Sequence, residues 1–135
     1  MSNLSKKTKG EIAELSVAKN LIQDGYKVSF PYVENNRYDL VAEKENKFIR
    51  VQVKYATPKE GVLEINCRSS NNWSVLHYSS RDIDLIAAYN PHTEKVYFIP
   101  VDQINHSLIR LRIEPSKNNQ KSGVHFAEDF ARLKI

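Results

Sequence analysis

Two short segments separated by a charged turn restrict the fold of this chain more than any other feature. Residues 38–42 and 48–54 are rich in residues typical of strands, which predicts a β-hairpin with Asp39 on its first strand. Successive side chains of a strand point to opposite faces, so the second strand would bury one row and keep the other beside Asp39. An amphipathic edge strand shows the same alternation, and the pattern alone does not separate the two interpretations. The polar row is Arg50, Gln52 and Lys54, and the apolar row is Ile49, Val51 and Val53.

A helix is predicted over residues 5–24, because apolar residues recur there at helical spacing and Gly25 follows as a stop signal. Glu11 shares an arc with several of these residues, so we expect an acid in the middle of the apolar stripe. A carboxylate there is costly unless it is paired or binds a metal. Alternatively, Glu11 is only slightly buried and is favoured by the helix dipole. Glu14 is expected nearer the edge of the stripe and better solvated. The apolar residues on the arc are Leu15, Ala18 and Ile22.

The length and composition indicate one domain spanning residues 1–135. The chain has 41% hydrophobic and 27% charged residues, proportions typical of soluble globular proteins. No apolar segment is long enough to cross a bilayer, and residues 1–9 lack the apolar region of a signal peptide. We therefore expect a cytoplasmic protein with no membrane partner. The single cysteine, Cys67, cannot form an internal disulfide and is expected in the core.

Basic residues are distributed in a way that suits a polyanionic partner. The net charge is +4, and the basic residues lie at the start of the helix, around a polar loop and on a late strand. Placed there, they could follow a phosphate backbone, and an aromatic residue in the loop could stack on bases or wedge a duplex. A solvated basic surface is the alternative. The candidate DNA contacts are Lys7, Lys9, Arg68, Trp73, Arg81, Arg110 and Arg112.

The remaining pattern predicts an α/β domain whose central sheet is mixed but mostly antiparallel, with the N-terminal helix over the face that carries the polar row and short elements at the C-terminus. Pro31 interrupts a strand over residues 27–33, which favours either an edge position or a strand end there. A second hairpin over residues 84–99 repeats the Asp-Leu-(Val/Ile)-Ala segment of the first but lacks the Gln-x-Lys pair. We interpret it as structural, with Asp84 as a cap or turn residue. Residues 68–81 are predicted to form a long irregular loop.

A metal site follows if Glu11 and Asp39 converge beside the polar row of the second strand. Two carboxylates, the amide oxygen of Gln52 and the backbone carbonyl of Val53 would form an all-oxygen shell suited to Mg²⁺. Such an ion polarises a phosphodiester and lowers the pKa of a bound water. Lys54 would then stabilise the charge that builds up on the scissile phosphate.

A helix glutamate, a strand aspartate and a Gln-x-Lys pair occur here in that order. The segments involved are residues 10–14, 25–28, 39–41 and 50–55, with further agreement over residues 84–101. In these segments the chain resembles the PD-(D/E)XK nuclease superfamily, and within it the small homing-endonuclease and resolvase-like branch. The resemblance implies a restriction-endonuclease-like core, in which helices flank a mixed sheet.

Taken residue by residue, the resemblance implies Glu11 and Asp39 as metal ligands and Lys54 as the catalytic lysine. Gln52 stands in the place usually held by a second acid. Two positions depart from the usual pattern. Tyr38 stands where a proline is expected, and the neutral Gln52 leaves the site with one charge fewer and a weaker hold on the metal.

Together, these features predict a Mg²⁺-dependent endodeoxyribonuclease that hydrolyses phosphodiester bonds in double-stranded DNA, in a homing- or restriction-like role. A homodimer or homotetramer is expected, because one such domain cuts one strand and cleaving a duplex needs two sites. Within the enzyme class, the alternative is a Holliday junction resolvase. Outside that class, the alternative is a DNA-binding or assembly protein on the same fold that has lost catalysis.

Overall fold

The computed structural model describes residues 3–33, 36–70, 75–77, 82–104, 107–114 and 124–133, with the backbone alone for residues 68–70 and 75–77. The elements in chain order are α1 (Lys6–Gln23), β1 (Lys27–Ser29), β2 (Leu40–Lys44), β3 (Lys47–Tyr55), β4 (Val62–Asn66), β5 (Arg68–Ser70), β6 (Val75–His77), β7 (Leu85–Asn90), β8 (Lys95–Pro100), β9 (Leu108–Arg112) and β10 (His125–Phe126), with 3-10 helices at Val101–Gln103 and Ala127–Phe130.

Helix α1 has the boundaries that its terminal residues favour. The hydroxyl of Ser5 accepts a hydrogen bond from the backbone N–H of Thr8 at 3.1 Å, which caps the first turn. At the other end Gly25 has φ of +91°, a conformation that side-chain-bearing residues seldom adopt. The predicted helix is therefore confirmed, with Ser5 and Asp24 as its caps.

The central sheet has the strand order β1-β2-β3-β7-β8. Strands β2 and β3 form the first hairpin, in which Leu40 lies opposite Val51, and β7 and β8 form the second. Strand β3 runs parallel to β7 and antiparallel to β2, so the sheet is mixed but mostly antiparallel, as predicted. Strand β1 lies at the edge and ends before Pro31, also as predicted.

Each face of the sheet covers a separate core. On one face, α1 buries Ala13, Val17 and Leu21 against a row that includes Val51 and Val53. On the other face, the three-stranded sheet β10-β9-β4 and the 3-10 helix Ala127–Phe130 pack over a second core. The members of this core include Leu63, Ile65, Cys67, Ile86, Ala88 and Leu111.

The restriction-endonuclease-like fold class is confirmed, with two differences of detail. Flanking helices were implied by the resemblance, whereas in the described residues the second face is covered mainly by a sheet, together with the 3-10 helix Ala127–Phe130. The segment 68–81 was predicted to be irregular, whereas β5 and β6 within it form an antiparallel pair, with Arg68 opposite His77. Among the described residues, a helix with the combined length and hydropathy of a membrane span is absent.

Candidate active site

Asp39 is bound to the central strand through both its backbone and its side chain. Its N–H donates to the carbonyl of Val51 at 2.8 Å, and its Oδ2 accepts from the N–H of Val53 at 2.7 Å. Extending the β2–β3 register by one residue places Asp39 opposite Gln52. Burial raises the pKa of the Asp39 carboxyl, while the Val53 hydrogen bond and the charge of Lys54 oppose that rise. The carboxylate is thus rigidly held and less stable in its charged form than a free one.

Lys54 is the basic partner of Asp39 at this end of β3. Its side chain is half-buried, and burial lowers the pKa of its ammonium group because the charged form loses hydration. The charge of Asp39 opposes this effect. Cys67 lies buried in the second core, where burial raises the pKa of its thiol. The predicted core position of Cys67 is therefore confirmed, and Asp39 and Lys54 are electrostatically coupled.

The polar row of β3 lies on the face of the sheet that points away from α1. Val51 and Val53 belong to the core beneath the helix, so the alternation of β3 directs Gln52 and Lys54 towards the second core. The predicted position of the helix, over the face that carries the polar row, is therefore wrong. The helix acids and the Gln-x-Lys pair can meet only around the end of the sheet, where Asp39 lies.

The helix buries a different stripe from the predicted one. Leu15 and Ile22 are exposed, and so is Glu11, so Glu11 is not in the middle of a buried stripe. With about 100° between successive helix residues, Glu14 falls inside the true arc and Glu11 just beyond its edge. The argument that a buried acid needs a partner therefore applies to Glu14, which sequence reasoning had placed nearer solvent. The buried residues of α1 are Ala13, Val17, Ala18 and Leu21.

Glu14 is the helix acid whose pKa is raised both by burial and by the charge of Asp39. Burial raises the pKa of the half-buried Glu14 carboxyl, and the charges of Asp39 and Glu11 raise it further. All three acids line one open cavity of about 490 Å³, which Lys6 and Lys7 also line. The charge of Asp39 therefore affects the pKa of Glu14 on the helix and the pKa of Lys54 on the strand. Asp39 links the helix side and the strand side of the site.

The donor set of this cavity fits a hard divalent cation. Burial raises the pKa of both half-buried carboxyls, and the charge of Asp39 raises that of Glu14 further. A bound cation would favour the charged form of both acids, and Mg²⁺ prefers oxygen ligands. Within the described parts of the chain, no three His, Cys, Asp or Glu side chains form a group able to hold a metal. The remaining ligands would have to be neutral oxygens. The Gln52 amide and the Val53 carbonyl stay the predicted ones, although neither residue lines this cavity.

Asp84 offers a useful contrast, because it flanks β3 on the opposite side. Its Oδ2 accepts from the backbone N–H of Arg50 at 2.7 Å, and its Oδ1 forms an ion pair with the Arg50 guanidinium at 3.2 Å. Burial favours a higher pKa for Asp84, but the hydrogen bonds and charge of Arg50 outweigh it and hold the pKa below its usual value. This geometry supports the structural interpretation of the second hairpin.

The predicted DNA contacts of α1 lie close to the acids. Lys7 is exposed and lines the cavity of Glu14 and Asp39. The ammonium of Lys9 lies 5.6 Å from the centre of the Tyr55 ring, in a cation–π contact. Lys7 is thus available to a phosphate at the site, whereas Lys9 also has a packing role.

The predicted DNA contacts on β9 lie on the outer face of the second sheet. Arg110 forms an exposed ion pair with Glu64 at 3.0 Å, and Arg112 donates to the carbonyl of Glu114 at 3.0 Å. Their role in binding stays a prediction. The side chains of the other three candidates lie outside the described residues: Arg68, Trp73 and Arg81.

The mixed sheet places an aspartate and a lysine that are electrostatically coupled at neighbouring strands, and a helix that carries glutamates packs beside them. This is the framework of a PD-(D/E)XK nuclease. The sequence model of the PD-(D/E)XK endonuclease family matches residues 4–133. The chain belongs to this family.

Two solved structures are similar to this chain. The first is the bacterial homing endonuclease I-Ssp6803I, with 30% sequence identity, a TM-score of 0.74, and coverage of 89% of this chain and 86% of that chain. The second is the Holliday junction resolvase Hjc of Archaeoglobus fulgidus, with 15% identity, a TM-score of 0.48, and coverage of 94% of this chain and 99% of that chain. Among curated proteins, none matches the sequence.

Proposed function

We propose that this protein is a Mg²⁺-dependent endonuclease that hydrolyses phosphodiester bonds in double-stranded DNA, in the manner of a homing endonuclease. The observation that carries the proposal is the position of Asp39, whose charge acts on both Glu14 and Lys54. Membership of the PD-(D/E)XK endonuclease family supports nuclease chemistry, and the similarity to a homing endonuclease supports DNA as the substrate.

The proposed ligands of the metal are Asp39 and a helix acid, with Gln52 and the Val53 carbonyl completing an oxygen shell. Glu14 joins the predicted Glu11 as a candidate, because Glu14 is half-buried and coupled to Asp39. When bound, a divalent ion here would polarise the phosphodiester and lower the pKa of a coordinated water.

Lys54 supplies the positive charge on the strand side of the site. Its ammonium would donate a hydrogen bond to the scissile phosphate or to the attacking water, which stabilises the charge that develops in the transition state. The charge of Asp39 opposes the lowering of the Lys54 pKa by burial. Lys7, at the rim of the cavity, would contact a neighbouring phosphate. Because each such domain cuts one strand, we propose that a homodimer or homotetramer cleaves the duplex.

The test is cleavage of a random-sequence DNA library in Mg²⁺, with chelated metal as the blank. We expect Lys54→Met and Asp39→Asn each to lower the cleavage rate by roughly a hundredfold or more, as for removal of one transition-state contact. Lys47→Met is the matched control, because Lys47 is an exposed lysine of the same strand.

Three results would contradict this proposal. Cleavage that survives chelation would exclude a metal requirement, and full activity of Lys54→Met would remove the lysine from the mechanism. Binding of the library without cleavage would favour the alternative of a nuclease fold that has lost catalysis. Preferential cleavage of four-way junctions over linear duplex would point to a resolvase instead.

A further inference from the structure

The segment between β1 and β2 exposes large apolar side chains to solvent. Phe30, Tyr32 and Val33 are exposed to 49%, 102% and 65%, so Tyr32 is as accessible as in an extended chain. These are three of the six large hydrophobic side chains that are exposed in the described part of the chain. Soluble proteins rarely expose such a cluster without a binding role.

The cluster lies at the candidate active site. Phe30, Pro31 and Val33 line the same open cavity as Glu14 and Asp39. Lys6 and Lys7 line it beside the acids, so two ammonium groups are placed to contact the phosphates on either side of a phosphodiester held at the acids. A phosphodiester placed at the acids would bring its flanking nucleotides against residues 30–33.

The backbone on the N-terminal side of the cluster holds it in place. Strand β1 pairs with β2 up to Ser29, which lies opposite Val41, so Phe30 follows directly on a fixed strand. The ring of Pro31 restricts its own φ and removes conformational freedom from the segment. Contacts made by a restricted segment lose less entropy on binding.

We propose that residues 30–33 are an apolar wedge that contacts and partly unstacks the base pairs of duplex DNA beside the scissile phosphate. Aromatic rings stack on bases with little regard to sequence, and apolar side chains inserted between base steps kink a duplex and widen its contact with protein. This inference rests on the proposed function for its DNA substrate, but it concerns binding and not hydrolysis.

The test is the affinity for one mixed-sequence duplex, and for the same duplex with a single unpaired central base, measured with Ca²⁺ in place of Mg²⁺. Wild-type protein should prefer the duplex with the unpaired base, because part of the unstacking cost is already met there. Phe30→Ala and Tyr32→Ala should each weaken binding roughly fivefold to a hundredfold and abolish that preference. Phe48→Ala is the matched control, since Phe48 is 64% exposed near the start of β3, and it should bind as wild type.

The salt dependence separates base contacts from phosphate contacts. Phe30→Ala and Tyr32→Ala should leave the slope of log affinity against log salt unchanged. Lys7→Ala should reduce the magnitude of that slope by about 0.9, the value for one phosphate contact. Unchanged melting temperatures are expected for Tyr32→Ala and Phe48→Ala, because neither side chain is packed.

The outcomes distinguish the wedge from the nuclease proposal. Affinities of Phe30→Ala and Tyr32→Ala within twofold of wild type would overturn the wedge, whatever the cleavage assay shows. A wild-type dimer that both variants dissociate without losing DNA affinity would make the patch an interface between copies and would also overturn it. Wedge-dependent binding by a protein that cleaves nothing would support the wedge and defeat the nuclease. Wild-type protein that binds neither duplex would defeat both.

Discussion

Replacing Asp39 by asparagine and by alanine separates its structural role from its proposed catalytic role. Both replacements remove the negative charge, so both should abolish metal-dependent cleavage. They differ in the hydrogen bond at 2.7 Å that Asp39 accepts from the backbone N–H of Val53. Asparagine can offer its side-chain carbonyl to that N–H, whereas alanine cannot. The two inactive variants should therefore differ in stability.

The size of this difference follows from the burial of Val53. Val53 is only 8% exposed, and a buried donor left without an acceptor costs about 1–3 kcal/mol. Since a chain of this length loses roughly 3.5 °C of melting temperature for each kcal/mol, Asp39→Ala should melt about 3–10 °C below Asp39→Asn. Comparing the two variants with each other cancels the effect of removing the charge.

Comparing the stability of Asp39→Asn with that of wild type tests whether burial raises or lowers the pKa of Asp39. Because burial raises the pKa of Asp39 above its unfolded value, the ionised carboxylate costs stability at every pH above the folded pKa. Asp39→Asn should therefore be more stable than wild type at neutral pH. Its advantage should shrink as pH falls through the folded pKa and vanish below the unfolded value, near pH 4.

Urea unfolding of the three proteins between pH 7 and pH 4, without divalent ions, measures both effects. Equal stabilities of Asp39→Asn and Asp39→Ala would refute the claim that the Val53 hydrogen bond holds this acid. An advantage of Asp39→Asn that grows towards low pH would refute the claim that burial raises the pKa of Asp39.

The remaining predictions concern the helix acids and the pH dependence of cleavage. Glu14→Gln should lower both the Mg²⁺ affinity and the cleavage rate by tenfold or more, and Glu11→Gln should have the smaller effect, because Glu11 is exposed. Titrating each variant with Mg²⁺ in the cleavage assay ranks the two variants. The reverse order would restore Glu11 as the main helix ligand. As the pH is lowered, the cleavage rate should fall at a higher pH than for free carboxyls, because the pKa values of Glu14 and Asp39 are raised. A tenfold increase in Mg²⁺ concentration should shift this acid limb of the pH–rate profile down by at most about one pH unit, since protons and metal compete for the same carboxylates. As the pH is raised, the cleavage rate should begin to fall at a pH below the usual titration range of lysine, because the pKa of Lys54 is lowered. Lys54→Arg should remove this alkaline limb of the pH–rate profile from the activity that the variant retains.

The local elements of the fold were predictable because local chemistry determines them. Ser5 and Gly25 mark the ends of α1, and the turn after β2 leaves one register for the hairpin. The parallel pairing of β3 with β7 was not predictable in the same way, because it joins segments distant in sequence. The second sheet is a similar case, since β4 pairs with β9 across more than forty residues. The alternating apolar residues of β4 and β9 do not indicate which face of the central sheet these strands cover.

The candidate site shows the same division between local and tertiary information. Strand alternation and order made Asp39 and Lys54 candidates, and the resemblance to the PD-(D/E)XK superfamily implied their roles. The expected burial of Glu11 was wrong because α1 carries apolar residues on more than one face, and Leu15 and Ile22 suggested a stripe that the fold does not bury. Only packing against the central sheet decides between the stripes. With the correct stripe, the same reasoning selects Glu14.

Asp39 and Asp84 show that local sequence does not separate a reactive acid from a structural one. Both begin an Asp-Leu-(Val/Ile)-Ala segment, both flank β3, and both accept a hydrogen bond of 2.7 Å from its backbone. The difference lies in the surrounding charge. Arg50 pairs with Asp84 and lowers its pKa, whereas burial raises the pKa of Asp39, which lines a cavity with two other acids. Because a cation relieves such a cluster of acids and adds little to an acid already paired with an arginine, the metal site is expected on the Asp39 side of β3 and not on the Asp84 side.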